Sequence, residues 1–199
     1  MKSPKVFLIS SFNLNKYDFR QLQETMEKEL PDHKKCIFLL ALPNITQVIN
    51  EKKKSVLQAN IWKIALLSAV VAAVPIPLLG FGVDVFILMR EIYKYSKAFG
   101  LDEASLRSLA EHVKVPVEEL KKATKSGMDQ ITKDMVIKLL KTAVGGFKVS
   151  DTPPSTIACM VAVWNSFYII YGMLKFCLDE LAEDAHRVLV RAFPSEGSE

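Results

Sequence analysis

The strongest constraint on this chain is a pair of long runs that are almost free of charge. Residues 64–89 carry one charged side chain, Asp84, and residues 156–174 carry none. Two prolines and two glycines between residues 75 and 82 interrupt the first run, because proline lacks the amide proton that a helix needs. Each half is then well below the roughly 20 residues that cross a bilayer. We therefore predict a buried helical hairpin over the first run and a central core helix over the second.

Two expectations follow for the first run, and one alternative stays open. Asp84 is expected to cap the second helix of the hairpin, where its carboxylate meets free backbone amides. Leu66 is expected to lie in the core. The alternative is a small integral membrane protein with one or two spans, built from the same two runs.

Composition narrows the class of protein further. Half of the 199 residues are hydrophobic (50%), which excludes a disordered chain. A formal net charge of +4 is too mild to indicate a nucleic-acid-binding protein. The chain has three cysteines, an odd number, and each lies in an apolar run. A disulfide framework is therefore not expected, and a reducing compartment fits best. The three histidines are isolated, so no zinc-binding spacing exists.

The first 43 residues predict one α/β unit, too small to fold alone. Residues 6–10 form a short apolar run that is typical of a buried strand. Asp18 is expected to cap a helix that ends at Pro31. Residues 36–42 are again apolar and predict a strand or a lead-in to the next domain.

Residues 44–193 predict an all-α domain of about six helices, and residues 194–199 an acidic, frayed tail. The lysines at 52–54 are interpreted as a solvated helix face. The expected helices and their signals run as follows: a long helix capped by Asn44 or Thr46 and ending before Pro75; one from Asp84 to Gly100; one from Asp102 to His112; one from Pro116 to Gly127; one from Met135 to Val144; and a last long one from Ser155 to Pro194.

The search for a catalytic motif is mostly negative. The 199 residues contain no phosphate-loop pattern, no nucleophile elbow and no paired-histidine or paired-cysteine metal motif. Residues 15–18 match the N-K-x-D pattern that binds guanine, but without a phosphate loop Asp18 is better explained as a helix cap. Residues 133–141 alternate lysines and aliphatic side chains, which fits either an ordinary surface helix or one that lies on anionic headgroups.

Three segments together resemble a known family. They are VFLISSF near the start, ELPDHKKCIFLLALPNIT, and FGLDEASLRSLAEHVKVPVEELK. In order and spacing they resemble the immunity-related GTPases, the interferon-inducible dynamin-like proteins of vertebrates, from about residue 4 to about residue 193. The resemblance covers the C-terminal half of that family. It implies a mainly α fold, namely the family's helical-bundle domain preceded by a β-α remnant of its G domain.

The resemblance also implies what the site residues and partners would be. Ser10 and Ser11 would form a residual guanine-contact loop, although the family commonly has asparagine where Ser11 stands. The phosphate loop and switch regions would lie upstream of Met1, so GTP and Mg²⁺ are implied for the intact family and no cofactor for this chain. Phosphoryl transfer by the chain alone is not expected.

The chain would then act through contacts rather than catalysis. Expected partners are other immunity-related GTPases or further copies of itself, with peripheral membrane contact left open and no nucleic acid. The expected location is cytoplasmic, with or without contact to internal membranes. A truncated gene product, a short isoform and a regulatory paralogue all fit the sequence.

Overall fold

The computed structural model describes residues 4–11, 16–44, 46–73, 79–127, 132–144 and 156–193. These contain helices and no strand, which confirms the prediction of a mainly α fold. The helices are α1 (Phe19–Glu29), α2 (Asp32–Ala41), α3 (Gln47–Ala72), α4 (Leu79–Ala98), α5 (Glu103–Val113), α6 (Val117–Ala123), α7 (Lys133–Val144) and α8 (Thr156–Ala192).

The two longest helices, α3 and α8, form the antiparallel centre of the bundle. The side-chain amide of Asn50 donates to the carbonyl of Ala182 (2.8 Å), and the hydroxyls of Ser68 and Ser166 lie 2.9 Å apart. Both helices place an apolar stripe on the same interface. The stripe residues recur every three or four positions, as one face of an α-helix requires, and are fully buried: Leu57, Ile61 and Ala65 on α3, and Ile170, Leu174, Cys177, Leu178 and Leu181 on α8.

Helix α4 packs against both central helices and corrects two expectations. It begins at Leu79, so Asp84 lies inside the helix rather than at its cap. The Asp84 carboxylate instead accepts a hydrogen bond from the Ser68 hydroxyl. Leu66 is 48% exposed, because it lies one position beyond Ala65 and thus about 100° away from the buried stripe. The prediction of a buried Leu66 was wrong. The prolines at 75 and 77 lie outside the described residues.

Two of the predicted helix caps are confirmed. The Thr46 hydroxyl accepts from the amide of Ile49 (3.3 Å) at the start of α3. The Asp102 carboxylate accepts from the amide of Ser105 (3.3 Å) at the start of α5. Gly100, between α4 and α5, has φ +70°, a conformation that glycine adopts without steric cost.

A buried aspartate fastens the loop after α6 to α8. Asp184 is 1% exposed and accepts hydrogen bonds from the amides of Lys125 (2.8 Å) and Ser126 (3.1 Å). Arg187 donates to the same carboxylate over 2.5 Å. Burial opposes the charge, but the hydrogen bonds from Ser126, Lys125 and Arg187 outweigh it and hold the pKa of Asp184 below its usual value. Hydrogen bonds to a buried carboxylate thus hold the loop on α8.

The N-terminal segment differs most from its prediction. Residues 6–10 form no strand, and Ile9 makes only an isolated antiparallel bridge to Tyr17. Val6 is 88% exposed. A strand needs a neighbour to accept its backbone hydrogen bonds, and the described residues offer none beyond that bridge. Residues 36–41, expected as a strand or a lead-in, belong to α2, since a helix satisfies its backbone groups within one segment.

Asp18 also departs from its expected role. It occupies the position before α1, but its side chain does not cap the helix. Its carboxylate accepts from the amide of Leu8 (3.1 Å), while its own amide donates to the Leu8 carbonyl (2.9 Å). These two hydrogen bonds therefore link Leu8 to Asp18, next to the Ile9–Tyr17 bridge that closes the same loop.

The membrane-span alternative finds no support in the helices. Among the described residues, no helix combines the length and apolar character needed to cross a bilayer.

Candidate functional site

Three consecutive lysines of α3 connect the N-terminal segment to the bundle. Lys52 pairs with Glu27 of α1 (2.6 Å), and Lys54 pairs with Asp179 of α8 (2.7 Å). Lys53 points into the protein between them. Because successive residues of a helix point about 100° apart, the three ammonium groups reach different elements. The solvated face expected at 52–54 is instead a junction of α1, α2, α4 and α8 with α3.

Lys53 is the centre of this junction. Its side chain is 1% exposed, and its ammonium donates to the carbonyl of Leu42 (2.6 Å) and to that of Ala98 (2.5 Å). These carbonyls lie at the C-terminal ends of α2 and α4, where helix carbonyls lack intrahelical partners and carry partial negative charge. Burial lowers the pKa of Lys53 from 10.5 to about 8. One buried cation therefore holds the ends of two helices together.

A large cleft opens beside Lys53, between the end of α2, the C-terminal half of α4, α5 and the C-terminal end of α8. Its volume is about 1710 Å³, above the usual range for a small-molecule site. The floor is apolar, with Leu42, Phe99, Leu109, Val188 and Phe193 among its lining residues. We call it the junction cleft.

The rim of the junction cleft is cationic. Lys16, Arg90, Lys94 and Lys97 line it together with His112, and no carboxylate belongs to the lining in the described part of the chain. Lys94 pairs with Glu91 (3.2 Å), whereas Arg90 and Lys97 make no ion pair with described residues. An apolar floor with a cationic rim is suited to an acidic, amphipathic surface of a partner.

The residual guanine-contact loop was predicted at Ser10 and Ser11, and neither residue lines the junction cleft. Ser10 is half-buried and Ser11 is exposed, and both precede residues 12–15, which lie outside the described residues. Its guanine contact stays a prediction. Asp18, the aspartate of the N-K-x-D match, already accepts from the Leu8 amide, so it does not present a free carboxylate to a base.

The structure brings together no group for Mg²⁺ in the described residues. No cluster of three or more histidine, cysteine, aspartate or glutamate side chains in that part of the chain could hold a metal ion. A GTP site needs both a phosphate-binding loop and a Mg²⁺ ligand, and the described residues do not fit one.

Helix α7 resolves the alternatives that its sequence left open. Val136 and Leu140 are each 1% exposed, and Ile137 and Leu139 pack against the core, so the apolar face of α7 is turned inward. Lys133, Lys138 and Lys141 are exposed. This is the arrangement of an ordinary surface helix. Its exposed lysines can meet a membrane through their charge.

Sequence reasoning missed Lys53 and the junction cleft, although the sequence held one signal. Lys53 sits in register with the buried stripe of α3, four residues before Leu57 and four after Ile49. A lysine in an apolar stripe is a candidate for a buried, partnered cation. Because Lys52 and Lys54 flank it, Lys53 was interpreted as part of a solvated face.

Comparison with known proteins assigns the chain to a family. The model of the interferon-inducible GTPase family matches residues 1–192, and the chain belongs to that family. It is similar to interferon-inducible GTPase 5 of Rattus norvegicus (35% identity over 98% of this chain) and of Bos taurus (36% over 97%). Interferon-gamma-inducible GTPase 10 of Mus musculus is 33% identical over 94% of the chain.

The match covers nearly all of this chain but less than half of each relative. The chain spans 43% of each interferon-inducible GTPase 5 and 44% of the mouse protein. The resemblance to immunity-related GTPases is thus confirmed, and the chain is short relative to its relatives. The family implies GTP and Mg²⁺ for the intact protein.

Proposed function

We propose that this chain is the helical, interaction-carrying part of an interferon-inducible GTPase. It works by binding other members of the family, or further copies of itself, and by contacting membranes, and it does not transfer phosphoryl groups. In the intact protein, GTP binding and hydrolysis with Mg²⁺ in innate immunity belong to the rest of the molecule.

The observation that carries the proposal is the junction cleft. Its apolar floor can bury a helix or loop of a partner. Arg90 and Lys97, which make no ion pair within the described part of the chain, can meet carboxylates on that partner. Lys53 fixes the ends of α2 and α4 that form one wall of the cleft. The site is therefore preorganised, which reduces the entropy lost on binding.

Membrane contact is the second part of the proposal. The exposed lysines of α7 lie on the side of the helix that faces away from the core, where they can approach anionic headgroups. Each contributes about 1 kcal/mol at an anionic surface, so three of them support reversible contact.

Sedimentation velocity tests the interaction. The purified chain is mixed with a full-length interferon-inducible GTPase, in GTP and in GDP, and is also run alone at increasing concentration. We expect a complex in at least one of these conditions. Replacing Lys94 and Lys97 by glutamate should weaken it by about tenfold or more, since like charges across an interface cost several kcal/mol.

Lys114→Glu combined with Lys122→Glu is the matched control. Both lysines are exposed, and neither lines the junction cleft. The control should leave association unchanged. Absence of any complex, in either nucleotide and at any concentration, would overturn the interaction part of the proposal. Equal loss in the control and the cleft variant would overturn the role of the cleft.

A further inference from the structure

The junction cleft has a cationic rim, and the sequence places one short acidic stretch directly beside it. Residues 194–199 contain two glutamates, Glu196 and Glu199, and no lysine, arginine or histidine. They follow Phe193, the last residue that the structure describes, and Phe193 lines the cleft. We call residues 194–199 the acidic segment. Its charge is opposite to that of the rim.

Helix α8 carries the chain to the edge of the junction cleft. Its last turns contribute to the lining with Val188, Leu189, Ala192 and Phe193. The amide of Phe193 still donates to the carbonyl of Leu189 (2.9 Å), so helical hydrogen bonding continues to this residue. Pro194 cannot continue it, because proline lacks the amide proton. The acidic segment therefore starts at the cleft itself.

The rim offers positive charge that other described residues leave unmatched. Arg90 and Lys97 make no ion pair with described residues, and half of the Lys94 side chain is exposed. Arg191, the cation nearest to the acidic segment in sequence, is engaged by Glu119 of α6 (2.7 Å) and does not line the cleft. The rim is thus the closest group of cations whose charge the described carboxylates do not balance.

The acidic segment is long enough to cross the rim. An extended chain advances about 3.3 Å per residue, so Glu196 can reach about 10 Å from Phe193 and Glu199 about 20 Å. Because a compact cleft of about 1710 Å³ is narrower than about 20 Å, both of its sides lie within that reach. The short tether also gives the segment an effective concentration in the millimolar range, which favours contacts that are weak one by one.

From these observations we infer that the acidic segment folds back over the junction cleft and pairs Glu196 and Glu199 with cations of its rim. In the free chain it occupies the surface that is proposed above to take an acidic partner. The partner must displace it, so only the fraction of chains with a released segment is ready to bind. The competition rests on the proposed function, whereas the contact itself does not.

Cross-linking with a carbodiimide tests the contact in the purified chain without any partner. The reagent joins a carboxylate to an amine as an amide where the two groups touch, and the carbodiimide itself takes up the water that is lost. Trypsin then cuts after Arg191 and releases residues 192–199 as one peptide. We expect this peptide to be linked to Lys94 or Lys97, and we expect the product in the monomer.

The same digest contains its own control. The described pair Lys54–Asp179 (2.7 Å) should be linked in every sample. If that pair is linked and residues 192–199 are not, the inference is overturned. Equal yields of links to Lys114 or Lys122, which are exposed lysines outside the cleft, would also overturn it. Links found only in covalent dimers would assign the cleft to the segment of a second copy instead.

Glu196→Gln combined with Glu199→Gln measures the competition. Two exposed ion pairs are together worth about three- to tenfold in affinity, so this variant should bind a full-length interferon-inducible GTPase more tightly than wild type by that factor. Raising the salt concentration to about 0.5 M should shrink the gain, since surface charges are then screened. Glu111→Gln combined with Glu118→Gln is the matched control, because both glutamates are exposed and neither lines the cleft. It should bind as wild type does.

The two measurements separate this inference from the proposed function. If no family member binds the chain, the proposed function falls, and the cross-links alone decide whether the acidic segment lies on the rim. Cross-links to the rim with an unchanged partner affinity in the glutamine variant would overturn the competition. Weaker binding by that variant would show that the segment helps to hold the partner, which is the opposite of the inference.

Discussion

The ammonium of Lys53 donates a 2.5 Å hydrogen bond to the carbonyl of Ala98, the last residue of α4. The same ammonium donates to Leu42 beyond α2, so a single side chain of α3 joins elements that are 45 and 11 residues away in sequence. This contact fixes the wall of the junction cleft.

Replacing Lys53 by methionine should lower the free energy of unfolding by about 1–3 kcal/mol, because the carbonyls of Leu42 and Ala98 would lose their donor. The pH dependence gives a sharper test. The pKa of Lys53 is about 8 in the folded chain and 10.5 as its ordinary value, so between these values the unfolded chain holds more protons. Stability contributed by this group therefore rises with pH in that window.

Urea unfolding at pH 7 and pH 9 measures this effect. Wild type should gain about 1 kcal/mol relative to Lys53→Met between the two pH values. Other groups that titrate in this range are present in both proteins, so their contributions cancel. An unchanged difference between the two proteins would mean that Lys53 is not buried.

Asp84→Asn tests the inward-facing carboxylate. Burial raises the pKa of Asp84, and the Ser68 hydrogen bond only partly opposes it. Because the folded pKa lies above the unfolded one, the ionised form costs stability at pH 7 and the cost fades as the pH falls. Asparagine keeps an acceptor for Ser68 without the charge, so this variant should equal or exceed wild type at pH 7 by up to about 1 kcal/mol.

Thermal unfolding of both proteins from pH 7 down to about pH 4, close to the ordinary pKa of an aspartate, checks the sign. The advantage of Asp84→Asn should shrink as the pH falls through the raised pKa of Asp84. An advantage that grows towards low pH would place the carboxylate in a position that favours its charge.

Leu66→Ala and Leu88→Ala separate the exposed and buried faces of the hairpin. Leu88 is fully buried at 0% exposure, whereas Leu66 is 48% exposed. Leu88→Ala should cost about 2–5 kcal/mol, the range for a buried leucine, and Leu66→Ala less than about 1 kcal/mol. Chemical denaturation of the two variants in detergent-free buffer measures both. Equal costs would show that the Leu66 side of α3 is covered in solution.

Particular residues show what the sequence can and cannot predict. The caps at Thr46 and Asp102 were predictable, since a short polar side chain precedes a periodic apolar pattern in both cases. The cap at Asp84 was predicted wrongly because aspartate is a good capping residue, but α4 begins five residues earlier, at Leu79, and the sequence there is apolar. Residues 36–41 were not predicted as helix because a short apolar run fits a strand or a helix equally well.

The candidate site was less predictable than the fold. Lys53 bonds to carbonyls from α2 and α4, and backbone partners leave no trace in side-chain patterns. The two uncharged runs were visible in the sequence, but only the packing of α3 against α8 shows that they meet at one end of the bundle.

Limited proteolysis tests how firmly the N-terminal segment is held. Helix α1 contains no buried residue, and its link to α3 is the half-exposed pair Lys52–Glu27, a kind of contact that contributes little stability. Helix α2, by contrast, buries Leu39 and is followed by the carbonyl that Lys53 binds. Trypsin should therefore cut first at Lys16, Arg20 or Lys28 and leave a fragment that retains α2.

Mass spectrometry of the digest identifies the first cut. A first cleavage within α3, α4 or α8, with residues 4–29 intact, would contradict the weak attachment of α1. Lys53→Met should extend the trimming into α2, because its anchoring contact is then lost.

The most direct measurement of the account is a titration of the purified 199-residue chain with a fluorescent GTP analogue in the presence of Mg²⁺. The sequence holds no phosphate loop, Asp18 is engaged with Leu8, and no metal-binding cluster exists in the described residues. We predict no saturable binding, while the same chain still associates with a full-length family member. Saturable, Mg²⁺-dependent binding in the micromolar range would show that the chain carries a nucleotide site of its own, and it would contradict the proposal that this chain acts through contacts alone.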